Sequence, residues 1–452
     1  MTQIPAEPSA AQPAEHPAQP AQHPAQPAEQ PAEPAEHPAR PTTTSHTPTL
    51  KQLGLRKLLA TLPLAIAGFT IFWGAVQYVL IPIQVQAIDP EGQNSSLALI
   101  VALGAVAAMI GAPIAGTLTD RTRTRLGGRA PWLIGAALTT LGLGIVMSLS
   151  TSIAMLVVMM VLVQLSTQFI LTPISAYIPD RVPAVKRGLF SAAYGAAQVV
   201  GSVIGQTLGA TLSDMVIVGY VAAGGILAGL VLLFALGNVR SNRDEPRPVI
   251  TLRSVLSTFW VNPVKHPNFW WAFFGRFLLF VGFFPVQTFL LYLLQDYIGL
   301  GDAAVDAVPL LSVNALVGQI VGAVLAGAVF GRVKRTKPLI FAASALLAVA
   351  LFIPMIWPTL IGMATYSLLS GLGIGAYISI DLVLITLVLP SAESTGKDLG
   401  IVNITTTLPQ TIGSAIGAGV IGAFGGYFAL LPMAVITTVV GATLLIFIRG
   451  VK

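Results

Sequence analysis

Arg276 and Asp381 each lie well inside a long apolar stretch, in a chain where only 9% of residues are charged. A charge at depth in hydrocarbon costs at least roughly 2.5–3.5 kcal/mol, so such a residue faces a cavity or a partner. Three kinds of chemistry fit the two residues. They could form a structural ion pair that fixes helix packing. Either could bind a polar solute directly. Or Asp381 could accept a proton while Arg276 sets its affinity, as carboxylates do in proton relays. All three stay open at this point.

Other polar and aromatic residues in apolar surroundings fit a sugar-like ligand. Tyr377 stands one turn before Asp381. Trp73 and Gln77 are four apart and share a helix face, as do Gln164 and Gln168. Glutamine and tyrosine donate and accept hydrogen bonds, and an aromatic face can stack on the apolar face of a sugar. Taken singly, each also fits polar glue between helices.

The elements that must position these residues follow from hydropathy. The chain has 452 residues, 54% of them hydrophobic. An ordinary soluble protein carries about 25% charged residues, so this surface must face lipid. Apolar runs of membrane-crossing length predict twelve helices near 59–87, 97–119, 131–150, 153–178, 189–212, 216–237, 268–295, 305–330, 337–357, 359–389, 400–424 and 427–448. Counted from the nearer helix ends, Arg276 and Asp381 both sit about 12 Å deep.

Lysine and arginine fall on one side of this scheme. Arg121, Arg123, Arg125 and Arg129, then Arg181, Lys186 and Arg187, then Arg332, Lys334, Arg335 and Lys337 occupy alternate breaks. The other breaks hold no basic residue but carry Asp89, Glu91, Asp214, Asp296, Asp302 and Asp306. The positive-inside rule then puts both termini in the cytoplasm. The net charge of +6 is thereby a topology signal, and nucleic acid is not needed to explain it.

Residues 1–50 repeat Pro-Ala with Glu, His or Gln and read as a disordered cytoplasmic tail. Four of the five histidines lie there at irregular spacing, which points to solvated filler rather than a metal site. A six-helix bundle over 51–237, a cytoplasmic linker over 238–266 and a second bundle over 267–452 complete the division. There is no cysteine, no phosphate-binding GxxxxGK[ST] and no HExxH, so disulfides, ATP-driven work and zinc catalysis of that type find no support. We expect no cofactor and no metal site; a proton is the candidate coupling ion.

The halves repeat. Ala115-Gly116 and Ala326-Gly327 end the second and eighth helices, and QVVGSVIG from Gln198 is matched by QTIGSAIG from Gln410. Parallel six-helix repeats are one transporter architecture, with the solute site between them near the midplane.

Between the second and third helices lies GTLTDRTRTRLGGRAPW, residues 116–132. It resembles the signature loop of the major facilitator superfamily, with Gly116, Asp120, Arg121 and Arg129 as the matching residues. Its extended form, with PDRVPAVKRG at 179–188, is similar to the sugar–cation symporters for glycosides, pentosides and hexuronides. The resemblance implies an all-α fold of two pseudo-symmetric six-helix bundles, with the first, fourth, seventh and tenth helices lining a central cavity. Arg276 and Asp381 would then meet across it. Gly116 would permit close helix approach. Asp120, read as a lone acid among arginines, would pair with them and act with Arg121 and Arg129 as a conformational latch. Sodium carriers of that branch place acids in their early helices. The first six helices here have no buried Asp or Glu, which speaks against sodium coupling at such a site and leaves proton coupling through Asp381 or uncoupled transport open.

The expected function is secondary active transport of a small polar solute, a sugar or glycoside, by alternating access. The protein would be a multi-pass monomer in the cytoplasmic membrane of a bacterium, with lipid and a small solute as partners. A drug or metabolite efflux carrier of the same fold and a non-transporting receptor or scaffold are the alternatives. No enzymatic activity is expected.

Overall fold

The computed structural model describes residues 55–239, 241–242, 267–333, 336–388 and 395–448. The expected tail at 1–50 and most of the expected linker at 238–266 lie outside them. Twelve long helices run through the described residues. They are α1 (Arg56–Ile88), α2 (Gln93–Arg121), α3 (Ala130–Ser148), α4 (Ile153–Arg181), α5 (Ala184–Thr211) and α6 (Val216–Gly237). Then follow α7 (Pro267–Thr288), α8 (Ala304–Val333), α9 (Thr336–Ile356), α10 (Leu360–Val388), α11 (Thr395–Phe424) and α12 (Leu430–Leu444). Ten of the twelve rods are long and apolar enough to cross a membrane. The described parts of the other two, α5 and α11, fall short of that length or apolarity. In α5, Gly205 lies against Ile71 of α1 and Gln206 bonds Ser312 of α8, so part of its surface is covered by other helices.

The packing pairs repeat. In the first half α1 packs on α5 and α6, α3 on α4 and α6, and α2 on α4. In the second, α7 packs on α11 and α12, α9 on α10 and α12, and α8 on α10. The halves meet through two matching pairs, α2 with α11 and α5 with α8. The stretch from Gln198 thus faces α1 as the stretch from Gln410 faces α7.

Glycines set how closely these helices approach. A methyl on Gly205 of α5 would stand 2.2 Å from the Ile71 carbonyl oxygen of α1. In the second half, at the crossing of α10 with α8, one on Gly375 would stand 2.1 Å from the Gln319 oxygen. Lipid tails are as apolar as leucine, so contact between close backbones, rather than flight from water, holds such helices together.

Three boundaries differ from expectation. PDRVPAVKRG is mostly helix: Asp180 and Arg181 end α4, Ala184 begins α5, and only Val182 and Pro183 separate them. Proline is tolerated where a helix starts, so Pro183 shapes the corner without lengthening it. The helix expected over 268–295 is interrupted at Phe289 and closes in a wider, π-type turn over Leu293–Tyr297. A similar turn, Val76–Leu80, interrupts α1. The first helix of each half therefore departs from regular α geometry near its acidic-loop end, where such wide turns mark functional positions.

Two outcomes test this architecture. Gly205→Ala should destabilise the bundle by about 1–3 kcal/mol through overpacking, while Gly225→Ala, with open space around it, should not; thermal unfolding in detergent reads both. In this cysteine-free chain, single cysteines replacing Glu91 or Asp302 should react with an impermeant thiol reagent from the side opposite to one replacing Arg125.

Candidate transport site and gates

Arg276 stands about 14 Å along α7 from its basic-loop end, and Asp381 about 10 Å along α10 from the same face. The Arg276 guanidinium donates from Nη1 to Asp381 Oδ2. The aspartate side chain is 3% exposed and the arginine 12%, so the charges meet in the body of the bundle. Every other charged residue of the described helices lies near a helix end.

Aromatic rings complete this layer. Phe280, one turn beyond Arg276, carries the guanidinium over its face at 5.3 Å. It also stacks on Phe284 at 5.4 Å and meets the Tyr377 ring edge-on at 6.2 Å. Tyr377 is 1% exposed, and its hydroxyl is buried. It lies within electrostatic reach of Asp381 one turn on. Phe280 and Phe284 were absent from the sequence-derived set. Their signal was present, since 276, 280 and 284 fall on one helical face.

The remaining candidates form a separate layer. Trp73 and Gln77 lie about 25–30 Å along α1 from its basic end, several turns nearer the acidic face than Arg276. Trp73 meets Phe72 edge-on, and Gln77 falls within the wide turn. Gln164 and Gln168 lay their stems against Gly104 and Gly111 of α2. The amides of Gln77, Gln164 and Gln168 make no hydrogen bond among the described residues. The structure thus joins Arg276, Asp381 and Tyr377, and sets the glutamines and Trp73 apart from them.

At the basic face, Arg129 binds two acids. It bonds Asp180 at 2.5 Å and lies 3.6 Å from Asp120. Asp120 is therefore not a lone acid. Pro179-Asp180-Arg181 ends α4 much as Thr119-Asp120-Arg121 ends α2, and that repeat in the sequence was the missed signal. Tyr177 lies between two guanidinium groups, with Arg181 at 4.7 Å and Arg129 at 5.4 Å from its ring. Trp132 donates to Thr122 Oγ1 at 2.8 Å and stacks on Phe169. Asn242 clamps the loop by bonding Thr122 and Thr124. These contacts tie α2, α3 and α4 within the first half. Gly116 is not a point of forced approach: a methyl there would lie 3.6 Å from Thr172, an ordinary contact. Gly104 and Gly111 bring α2 and α4 together instead.

The hydrogen bonds that cross between halves, among the described residues, all lie toward the acidic face. Tyr292 donates to the Pro82 carbonyl at 2.8 Å, and Gln295 to Gln86 at 3.3 Å. Tyr427 donates to Asn94 at 2.8 Å and accepts from Gln93 at 3.3 Å. Ser312 donates to Gln206 at 2.7 Å. The two wide turns thus feed directly into the seal on this side.

Solved structures share the whole architecture. The nucleoside transporter NupG (D323A mutant) superposes with a TM-score of 0.69 at 12% identity, covering 87% of this chain and 100% of that one. A bacterial homolog of the human lysosomal transporter Spinster, in an inward-facing, unoccupied conformation, gives 0.63 at 16%, covering 87% and 95%. A D-xylose-proton symporter gives 0.63 at 18%, covering 85% and 96%. Identities this low establish the fold alone. No curated protein sequence matches the chain. The family model described as Major Facilitator Superfamily matches residues 64–414, most of the chain, and the chain therefore belongs to that superfamily, as a multi-pass membrane transporter rather than an enzyme.

Proposed function

We propose that this transporter is a secondary carrier of a small polar solute, a sugar or glycoside, coupled to protons through Asp381. The observation that carries this reading is the Arg276–Asp381 pair, buried between α7 and α10 and bordered by Phe280 and Tyr377. Of the two charges only the aspartate can exchange a proton, because the guanidinium stays protonated throughout the accessible pH range. The signature loop at 116–132 and the fold shared with a D-xylose-proton symporter favour the sugar–cation branch.

In this reading the solute enters from the acidic face when the Tyr292, Gln295 and Tyr427 seal opens. It is held against the aromatic layer and released at the basic face. The basic loops are cytoplasmic, both termini lie on that side, and the protein works as a monomer in a bacterial cytoplasmic membrane. The Arg129 cluster steadies the first half as a rigid body while the halves rock, which is how it acts as a latch with Asp120 and Arg121.

Uptake of labelled mono- and disaccharides into proteoliposomes, with and without an inward proton gradient, tests the reading. Gradient-driven accumulation should be lost in Asp381→Asn while exchange at equal pH persists. Absence of uptake for every sugar, with folded protein, would replace the reading by efflux of another solute class. Arg129→Gln should change stability by no more than about 1 kcal/mol, because its acids are half exposed. It should slow maximal uptake severalfold with KM unchanged. Loss of solute affinity instead would remove its gating role.

A further inference from the structure

We propose that α7 carries a second solute station, on the basic side of the Arg276–Asp381 pair: a track of aromatic rings that holds an aromatic group of the solute as it leaves. This rests on the reading of the protein as a carrier that releases its solute at the basic face. Trp270, Phe273, Phe277, Phe280 and Phe284 follow one another at spacings of three and four, so they keep to one side of α7 over about 21 Å. The rings are close neighbours. Trp270 and Phe273 have centroids 5.2 Å apart, Phe273 and Phe277 6.5 Å with planes 6° apart, and Phe280 and Phe284 5.4 Å. An interfacial aromatic belt accounts for rings at the helix end, such as Trp271 beside Phe447. It does not account for Phe277 and Phe284, which lie deeper than such a belt.

Packing around α7 shows which way the track faces. A methyl on Gly275 would stand 2.9 Å from the Gly441 carbonyl oxygen, and one on Gly282 2.7 Å from that of Ala434, so these positions face α12. Val281 and Pro285 lie against Gly413 of α11. Arg276 and Phe280 meet Asp381 and Tyr377 of α10. Trp270, Phe273, Phe277 and Phe284 fall in the arc left between the α10 and α11 sides, and all four are partly exposed. The helix of the other half that α7 meets is α1, at the wide turn Val76–Leu80. The arc therefore opens on the passage between the halves, which the acidic-face seal leaves closed at the far end. A row of rings suits release. Each contact is weak and has a like neighbour, so a solute can be handed on without being trapped. Rings reward an aromatic partner, whether offset-stacked or edge-to-face, beyond the apolar area it buries. The solute class that fits is a polar head with an aromatic group, as in an aryl glycoside.

Equilibrium dialysis of the full chain in detergent, with labelled phenyl, cyclohexyl and methyl β-glycosides of glucose, galactose and xylose, tests the station. Phenyl and cyclohexyl groups are alike in size and differ in having a π face. For the sugar that binds, the phenyl glycoside should bind about three- to tenfold tighter than the cyclohexyl one. The double variant Phe273→Leu with Phe277→Leu keeps apolar side chains at both positions and removes the rings. It should bring that ratio to about one. Phe352→Leu, at an exposed ring of α9, should leave the ratio as it is. A purely structural role for Phe273 and Phe277 would weaken phenyl and cyclohexyl glycosides equally. Equal binding of the two by the native protein, or a phenyl preference that survives in the double variant, would overturn this inference; uptake of the methyl glycosides into proteoliposomes would then leave the carrier reading standing. Folded protein that neither binds nor takes up any of these glycosides would overturn both.

Discussion

Hydrocarbon solvates neither a backbone amide nor a charge, and both halves of this molecule are organised by that constraint. Every crossing segment is helical, so its backbone bonds are satisfied within itself. Helices then associate through close packing, which is why Gly205 and Gly375 bring neighbouring backbones nearly into contact. The same constraint acts on side chains. Arg276 cannot shed its proton, so Asp381 must stand beside it, and the two fix α7 and α10 at one depth. A polar network buried among α1, α3 and α6 obeys the same rule. Tyr220 donates to Gln84, whose amide in turn donates to the Met147 and Ser148 carbonyls.

What the sequence disclosed follows from how scarce each signal was. Two deep charges in a long apolar chain have few possible partners, so Arg276 and Asp381 could be matched by depth alone. Segregation of Lys and Arg into alternate loops required an even helix count. The wide turns in α1 and after α7 were not legible. Val76–Leu80 and Leu293–Tyr297 themselves contain no proline or glycine. Asp180 was hidden because the PDR segment resembled a loop, whereas α4 continues through it and presents the carboxylate to Arg129. Gly116 misled in the opposite sense. A glycine in a signature motif suggested close approach, yet the steric demand falls on Gly104 and Gly111, earlier on α2.

The two faces hold the molecule by different chemistry, and the difference bears on how it can move. Among the described residues, the basic-face contacts of Arg129 with Asp120 and Asp180 are charged and lie within the first half, where they resist distortion of α2, α3 and α4 relative to one another. The acidic-face seal is neutral, made by tyrosine, glutamine, asparagine and serine across the halves. Neutral hydrogen bonds contribute about 0.5–1.5 kcal/mol each once water competes for them. A handful of them sums to a few kcal/mol, which is also the scale on which a ligand with differential affinity shifts a two-state population. An ion pair in the same place would leave a desolvated charge on each half whenever water had not yet entered, adding to the barrier of each cycle. A carrier must break its seal on every turnover, so the uncharged composition of this one is what a repeatedly opened gate requires. The one deep ion pair among the described residues lies instead between α7 and α10 of one half, where a relative movement of the halves need not separate its partners.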